Sequence, residues 1–340
     1  MKQVNWGIIG LGTIASKFAD AFKFSKKAKL LAVASKDENK IQRFRDKFDI
    51  QKNYCFNNYE KLIKSDDIDI VYIALPNSLH AEWVLKCIEN KKKILVEKPA
   101  VLNIAEIEII KKKIGNIFFS EAFMYIYHPQ ILKVVNLIKE GRIGNLISMN
   151  TNFGNDIISK KNFFGFKTRK RINTKNRLFN KELGGGAILD LGCYLTSFSL
   201  LIGFLELNNA SQKVTIRNSK KKLISSGVDI HSSAELHFEN GFTSKIKVSF
   251  EENLGQKSQI IGTEGSIIIP QTWTAKNTTL IIDSKENEKI EIGITGNIYT
   301  REIEVISECI IKNKIKPDFP GLSIDDTFQN TKILDEWLKY

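Results

Sequence analysis

Proline and cysteine are both scarce in this chain of 340 residues, with 6 prolines and 4 cysteines. So few prolines, beside 42% hydrophobic and 10% aromatic residues, exclude a collagen-like or Pro-rich disordered chain and imply a folded core. Cys55, Cys87, Cys193 and Cys309 are widely spaced and make no C-x-x-C pair. That excludes a disulfide-stapled scaffold, provides no zinc pattern, and fits a reducing cytoplasm. Histidine is scarce too: His231 and His237 have no partners at metal-ligand spacing in the sequence, and no metal is expected. No secretory leader is expected, because strand-like Val4–Ile9 begins too early for a charged and an apolar leader region. Long apolar runs are absent except at 187–205, interrupted only by Asp190. That run approaches the roughly 20 residues a bilayer needs, but its glycines, hydroxyls and early aspartate suit a buried helix, so no membrane association is expected.

Acidic residues are the minority charge: 38 Asp and Glu face 51 Lys and Arg, a net +13. Such an excess can mark a polyanionic partner. The same chain is rich in Ile, Asn and Phe, the residues that AT-rich codons favour alongside Lys, so composition accounts for the excess. The basic clusters 91–93, 111–113, 167–171 and 220–222 fall on separate elements, and no nucleic-acid partner is expected.

Strand and helix patterns alternate through the first 120 residues. Strands are expected at Val4–Ile9, 29–34, 70–75, 93–96 and 116–120, with helices at 13–24, 38–47, Tyr59–Lys64, 78–89 and Ile104–Lys113. This alternation implies a parallel sheet covered on both faces, with ligands at the carboxyl ends of its strands. The pattern then changes. A helix at 129–140, a strand at 146–152, a basic aromatic segment at 155–181 and the apolar helix precede a run of strands between 212 and 292. Hairpin signals at Glu239-Asn240-Gly241 and Gly262-Thr263-Glu264-Gly265 separate these strands, and helices follow at 303–313 and 324–339. The expected fold class is α/β, with a Rossmann-like parallel domain at 1–120. An α+β domain with an open, mostly antiparallel sheet follows at 121–340, its final helix a candidate to pack on the first domain.

Three motifs carry chemistry. Gly10-Leu11-Gly12-Thr13-Ile14-Ala15 is a G-x-G-x-x-A between a strand and a helix. Gly10 permits the tight turn, Gly12 lets a pyrophosphate approach the backbone, and Ala15 allows close helix packing. At the end of the second strand, where an NAD-preferring domain places an acid, the chain reads Ala34-Ser35-Lys36. A hydroxyl and a cation suit a 2′-phosphate, which favours NADP(H) over NAD(H), with Asp37 as the rival ribose ligand. The second motif is Glu97-Lys98-Pro99, with Lys98 at the carboxyl end of a strand. Its ammonium can hydrogen-bond a substrate hydroxyl and lower the pKa of a neighbouring acid; against this, lysine is the commonest charge in the chain. The third is Gly184-Gly185-Gly186 leading into Asp190 and Tyr194, spaced i and i+4 on an apolar helix. Such groups are costly to bury unless used or paired with each other.

Taken in order, Gly7 to Ala15, Pro76-Asn77-Ser78-Leu79-His80, Glu97-Lys98-Pro99, Glu121-Ala122-Phe123-Met124-Tyr125 with His128-Pro129-Gln130, and Gly185-Gly186-Ala187 through Tyr194 resemble the glucose-fructose oxidoreductase / inositol dehydrogenase / rhizopine catabolism (Gfo/Idh/MocA) family. The resemblance spans nearly the whole chain. It implies NAD(P)-dependent hydride transfer on a sugar, polyol or related hydroxy compound, and a homodimer or homotetramer built through the C-terminal sheet. It assigns cofactor binding to Gly10, Gly12, Thr13, Ile14, Ser35, Lys36, Leu75, Asn77, His80, Glu97 and Lys98. A tyrosine at 194, where many members carry histidine, is similar to the branch of dimeric dihydrodiol dehydrogenase and NADP-linked D-xylose dehydrogenase. In that branch Lys98 and Tyr194 correspond to the catalytic pair, with Asp190 orienting the substrate or Lys98. Tyr125, His128 and Arg177 are candidate substrate-binding residues. The rival reading is a non-catalytic NAD(P)-binding regulator of the same fold, which would be marked by loss of the pair.

Overall fold

The computed structural model describes residues 3–161, 163, 165–205 and 213–340. Two compact units emerge: Met1–His128 with Ile294–Phe328, and Pro129–Gly293 with Gln329–Tyr340.

The first unit is built on β1 (Val4–Ile9), β2 (Ala28–Ala34), β3 (Cys55–Phe56), β4 (Ile70–Ile73), β5 (Lys93–Glu97) and β6 (Phe119–Ala122). All pair in parallel, in the order β3-β2-β1-β4-β5-β6. That is the doubly wound Rossmann order, whose direction reverses between β1 and β4. A parallel sheet is covered on both faces, which is why β4, Ile-Val-Tyr-Ile, has no exposed residue and reads as an unbroken apolar run. Each such fully buried aliphatic side chain stabilises the fold by about 1.5–3 kcal/mol.

The crossovers are α1 (Thr13–Ala19), α2 (Glu38–Phe48), α3 (Tyr59–Lys64), α4 (His80–Glu89) and α5 (Ile104–Lys113). Side chains set their starts. Asp37 accepts from Lys40 N, Asn58 from Glu60 N and Asn103 from Glu106 N, while Glu106 accepts in return from Leu102 N. Lys111, Lys112 and Lys113 occupy the last turn of α5, where cations favour the negative helix end.

Expected boundaries shift where packing intervenes. The helix expected at 13–24 ends as α1 at Ala19 and resumes as a 3₁₀ turn at Phe22–Phe24. The break turns Phe22 onto Trp6 and Phe18, at 5.7 and 5.6 Å between ring centroids. β6 begins three residues later than expected, because its register pairs Val96 with Glu121 and Glu97 with Ala122. The first unit extends past residue 120 to His128, since β6 runs to Ala122 and the turn Met124–Tyr127 is wholly buried.

The second unit holds β7 (Leu146–Gly154), the small hairpin β8 (Ser159–Lys161) and β9 (Lys167–Arg169), and β10 (Val214–Leu223), β11 (Asp229–Phe238), β12 (Thr243–Ser249), β13 (Ser258–Gly262), β14 (Gly265–Ile269), β15 (Asn277–Ser284) and β16 (Glu288–Gly293). Eight strands form one sheet in the order β10-β11-β12-β7-β13-β14-β15-β16. Only β12 and β7 run parallel within it; the remaining neighbours are antiparallel. Alternation in β11 separates buried Ile230, Ala234, Leu236 and Phe238 from partly exposed His231, Ser233, Glu235 and His237. The apolar face takes α7 (Cys193–Gly203), which packs on β7 and β12; α6 (Pro129–Lys139) opens the unit. Lys181–Gly203 is the one described helical segment long and apolar enough to cross a membrane, and 83% of its most apolar window is buried inside the chain.

After β16 the chain returns to the first unit through α8 (Thr300–Ile311), where Ser307 Oγ accepts from the Trp6 indole at 3.0 Å. The opening turns of α9 (Ile324–Lys339) also belong to that unit, with Ile324 and Phe328 on its apolar core, and the remainder belongs to the second.

Candidate active site

In the first unit the expected cofactor residues gather at the carboxyl edge of the parallel sheet. Gly10 follows β1 with φ +89°, a conformation that favours glycine, and a Cβ there would meet Ala74 O at 2.5 Å. Gly12 caps α1, and a Cβ there would meet nothing within 4 Å, so open space faces the backbone where a pyrophosphate must approach. Thr13 is exposed, Ile14 is partly exposed, and Ala15 is fully buried beneath them. This cradle fits the diphosphate of a dinucleotide. After β2, Ser35 is buried and its Oγ accepts from Asp37 N at 3.1 Å, whereas Lys36 is exposed. Asp37 is engaged locally: its carboxylate accepts from Lys40 N at 3.2 Å as the cap of α2.

Leu75 and Asn77 are buried in the loop after β4. His80, with no exposed surface, bridges that loop to the one after β5: Nε2 lies 2.9 Å from Leu75 O and Nδ1 lies 2.8 Å from Pro99 O. A neutral imidazole has one N–H, so both contacts are hydrogen bonds only for the doubly protonated ring. His80, one of the candidate cofactor residues, thus lies between the two loops with a ring nitrogen against a carbonyl of each. The Lys98–Pro99 peptide bond is cis. Glu97, at the end of β5, accepts from the hydroxyl of fully buried Tyr72, and Lys98 beside it is partly exposed. Glu121 accepts from Ala100 N at 2.9 Å and fastens the same loop. Burial pushes its carboxyl up to about 7; the Ala100 N–H and the Lys98 charge oppose the rise, and Glu97 adds to it. Tyr125 and His128, the candidate substrate-binding residues of this stretch, are both buried, at 0% and 2% exposure.

The second unit carries the other candidates. Gly184 and Gly186 have φ of +73° and +113°, and a Cβ on Gly185 would meet Arg177 O at 2.5 Å, so the glycine run is required by its own close-packed loop. Asp229 anchors the start of the next helix, accepting from Ile188 N at 3.0 Å and from Ser232 Oγ at 2.8 Å. This long apolar helix opens as a π-helical turn, Ile188–Gly192, before continuing as α7. Asp190 lies within the π turn and Tyr194 in the first turn of α7, so their i, i+4 spacing falls across the junction of the two. Asp190 forms an ion pair with half-exposed Arg177 at 3.3 Å. Tyr194 is 5% exposed, its ring held by Phe153 at 5.6 Å and Trp273 at 5.9 Å between centroids.

Arg177, Asp190 and Tyr194 are thus grouped in one unit, and the eleven residues expected to bind cofactor lie in the other. Tyr72 and Glu302 are signalled by no motif, whereas Glu121 opens one of the motifs that carry the resemblance. Phe153 and Trp273, which hold Tyr194, lie far from it in sequence. One expectation about histidine is overturned. His231 does have carboxylates within reach, with Nδ1 3.8 Å from oxygens of both Glu251 and Glu252. Lys222 at 2.6 Å, Arg169 at 3.4 Å and Lys247 at 3.2 Å already neutralise those carboxylates, so the group reads as an ion-pair network.

Comparison with known proteins matches two family models. Residues 4–115 match the oxidoreductase family with an NAD-binding Rossmann fold, and residues 131–268 match the GFO/IDH/MocA C-terminal domain. The chain is 28% identical to trans-1,2-dihydrobenzene-1,2-diol dehydrogenase of Xenopus tropicalis, over 98% of this chain and 97% of that protein. It is 27% identical to D-xylose 1-dehydrogenase (NADP(+)) 2 of Haloferax volcanii, over 90% and 88%. A 3-ketoreductase from Actinomadura kijaniata, solved in complex with NADP and TDP-benzene, shares the fold at a TM-score of 0.81 and 20% identity, over 98% and 96% of the two chains. The chain belongs to the Gfo/Idh/MocA family of NAD(P)-dependent oxidoreductases.

Proposed function

We propose that the protein is an NADP(H)-preferring dehydrogenase or reductase of a sugar, polyol or related hydroxy or keto compound. In this reading Tyr194 is the acid/base and Lys98 assists it. The observation that carries it is the turn at Gly10 and Gly12, open in front of Gly12, on a sheet of Rossmann order. Ser35 and Lys36 support the 2′-phosphate preference, as does the engagement of Asp37 in capping α2. The names of the dihydrodiol and D-xylose dehydrogenases support the substrate class.

The residues that hold the cofactor are those at the carboxyl ends of β1, β2, β4 and β5. NADP+, when bound, supplies the hydride acceptor for oxidation. Tyr194 then takes the hydroxyl proton of the substrate and, in the reverse direction, returns it. A free phenol has a pKa of about 10, so the phenolate needs a cation to favour it, and that is the role assigned to Lys98. Asp190, paired with Arg177, orients the substrate from the Tyr194 side. The partly exposed face of the eight-stranded sheet, which includes Ile261, Ile268 and Ile281, is proposed as the contact between copies in a homo-oligomer. A cytoplasmic setting suits four free cysteines.

Fluorescence titration with NADPH and NADH tests the cofactor, and tighter NADH binding overturns the preference. Turnover is tested with NADP+ against sugars, polyols and their acids, and with NADPH against ketoses and osones. Cofactor binding without turnover in either direction would favour a regulator of the same fold.

A further inference from the structure

Tyr194 stands in the first turn of α7, directly after the π turn, and one side chain of α9 reaches the chain on both sides of it. Asn330, on α9, is 1% exposed and belongs to the same unit as Tyr194. Its Nδ2 donates to Cys193 O at 3.4 Å, and its Oδ1 lies 2.5 Å from Oγ1 of Thr196, which has no exposed surface. A carbonyl can only accept, so Cys193 O sets the amide with Nδ2 towards it and Oδ1 towards Thr196. The Thr196 hydroxyl has one proton to give. Gly192 O at 3.1 Å and Cys193 O at 3.3 Å compete for it, but the Asn330 oxygen is nearer than either.

The place is a sensitive one. Asp229 holds the start of the π turn at Ile188 N. Were that turn to relax into regular α-helix, the residues after it would swing by up to about 100°, the rotation per residue of an α-helix. Two contacts from α9 hold the far end. The Trp337 ring packs on Gly192, where a Cβ would come within 2.7 Å of it, and the Asn330 amide bonds Cys193 and Thr196. Asn330 and Trp337 are about two turns apart, on one face of α9.

We propose that Asn330 is a positioning residue for the reaction. Its amide ties the backbone immediately before Tyr194 to the hydroxyl of Thr196 just after it, and so sets the direction in which the phenol leaves the helix. Phe153 and Trp273 grip the ring itself; Asn330 fixes the backbone from which the ring projects. The kinetic part of this inference rests on the acid/base role of Tyr194 given above.

Three variants of the full-length protein test it. Thr196→Val removes the donor but keeps the shape of the side chain, Thr196→Ser keeps the hydroxyl, and Asn330→Leu removes the amide. Hydrogen–deuterium exchange reads the tie without turnover: the segment 188–200 should exchange faster in Thr196→Val and Asn330→Leu, and as in the wild type in Thr196→Ser. Wild-type exchange in the first two overturns the tie. In kinetics, Thr196→Val should lower kcat by about tenfold, the scale of a small misplacement of a reacting group. The KM for cofactor should stay unchanged, and Thr196→Ser should restore kcat. Wild-type kcat in Thr196→Val beside an impaired Tyr194→Phe overturns the positioning role, as does a loss that Thr196→Ser fails to restore. Near-normal turnover in Tyr194→Phe instead sinks the acid/base reading, and the tie then stands or falls on exchange alone.

Discussion

Glu121 shows how one side chain can couple the cofactor edge to stability. Its carboxyl is pushed up to about 7 from an ordinary 4.5, chiefly by burial. Between those values the folded protein holds a proton that the unfolded chain has released, so this contribution is full below pH 4.5 and is lost as pH rises towards 7. The loss is on the order of 3 kcal/mol. In Glu121→Gln, urea midpoints measured across that window should flatten; an unchanged slope would count against the assignment. Lys36 bears on selectivity. Lys36→Glu should weaken NADPH binding by about tenfold or more, through loss of a charge-assisted contact, and leave NADH nearly unaffected in parallel titrations. Tyr194→Phe should lower kcat by about 10²–10⁴ while cofactor binding persists, and near-normal turnover would remove Tyr194 from the chemistry.

Among the elements, the π turn and α7 depend on contacts that leave no room for side-chain growth. A Cβ on Gly192 would come within 2.7 Å of the Trp337 ring, and Trp337 is fully buried. Gly192→Ala should therefore cost about 1–3 kcal/mol of stability, read from thermal or urea unfolding. Asp229 works at the other end of the same element. Asp229→Ala would leave Ile188 N and Ser232 Oγ without their acceptor, at about 1–3 kcal/mol. Because Ile188 N starts the turn that carries Asp190 and leads into Tyr194 on α7, this variant should also lower kcat more than it changes the KM for cofactor. Equal stability and equal kcat in Asp229→Ala would show that the turn forms without its anchor.

For the whole molecule, ion pairs disperse the basic clusters locally, while the net charge stays +13. Lys111 pairs with Asp325 at 2.6 Å, Lys167 with Asp156 at 2.6 Å, and Lys222 with Glu251 at 2.6 Å, so members of three separate basic clusters are neutralised where they stand. The partly exposed sheet face is the surface proposed for contact between copies. Ile281→Asp on β15 should shift the protein to a smaller species in sedimentation velocity, with the far-ultraviolet spectrum unchanged. An unchanged sedimentation coefficient would place any contact between copies elsewhere.

Much was legible from local pattern alone. Apolar runs of four to six residues, separated by amphipathic helices, specify a parallel sheet because both of its faces must be covered, and glycines at 10 and 12 specify the turn because a side chain does not fit at Gly10 and open space is needed at Gly12. The candidate cofactor edge was legible as a cluster for the same reason: its residues follow their strands directly in sequence. Tertiary structure decided what depends on partners distant in the chain. It ended the first helix at Ala19 so that Phe22 could reach Trp6, and it opened the apolar helix as a π turn anchored by Asp229. It also returned α8 to the first unit, where Glu302 has no exposed surface. Periodicity records which face of an element is buried, but not which other element buries it, and the ionisation of an acid is set by that second choice.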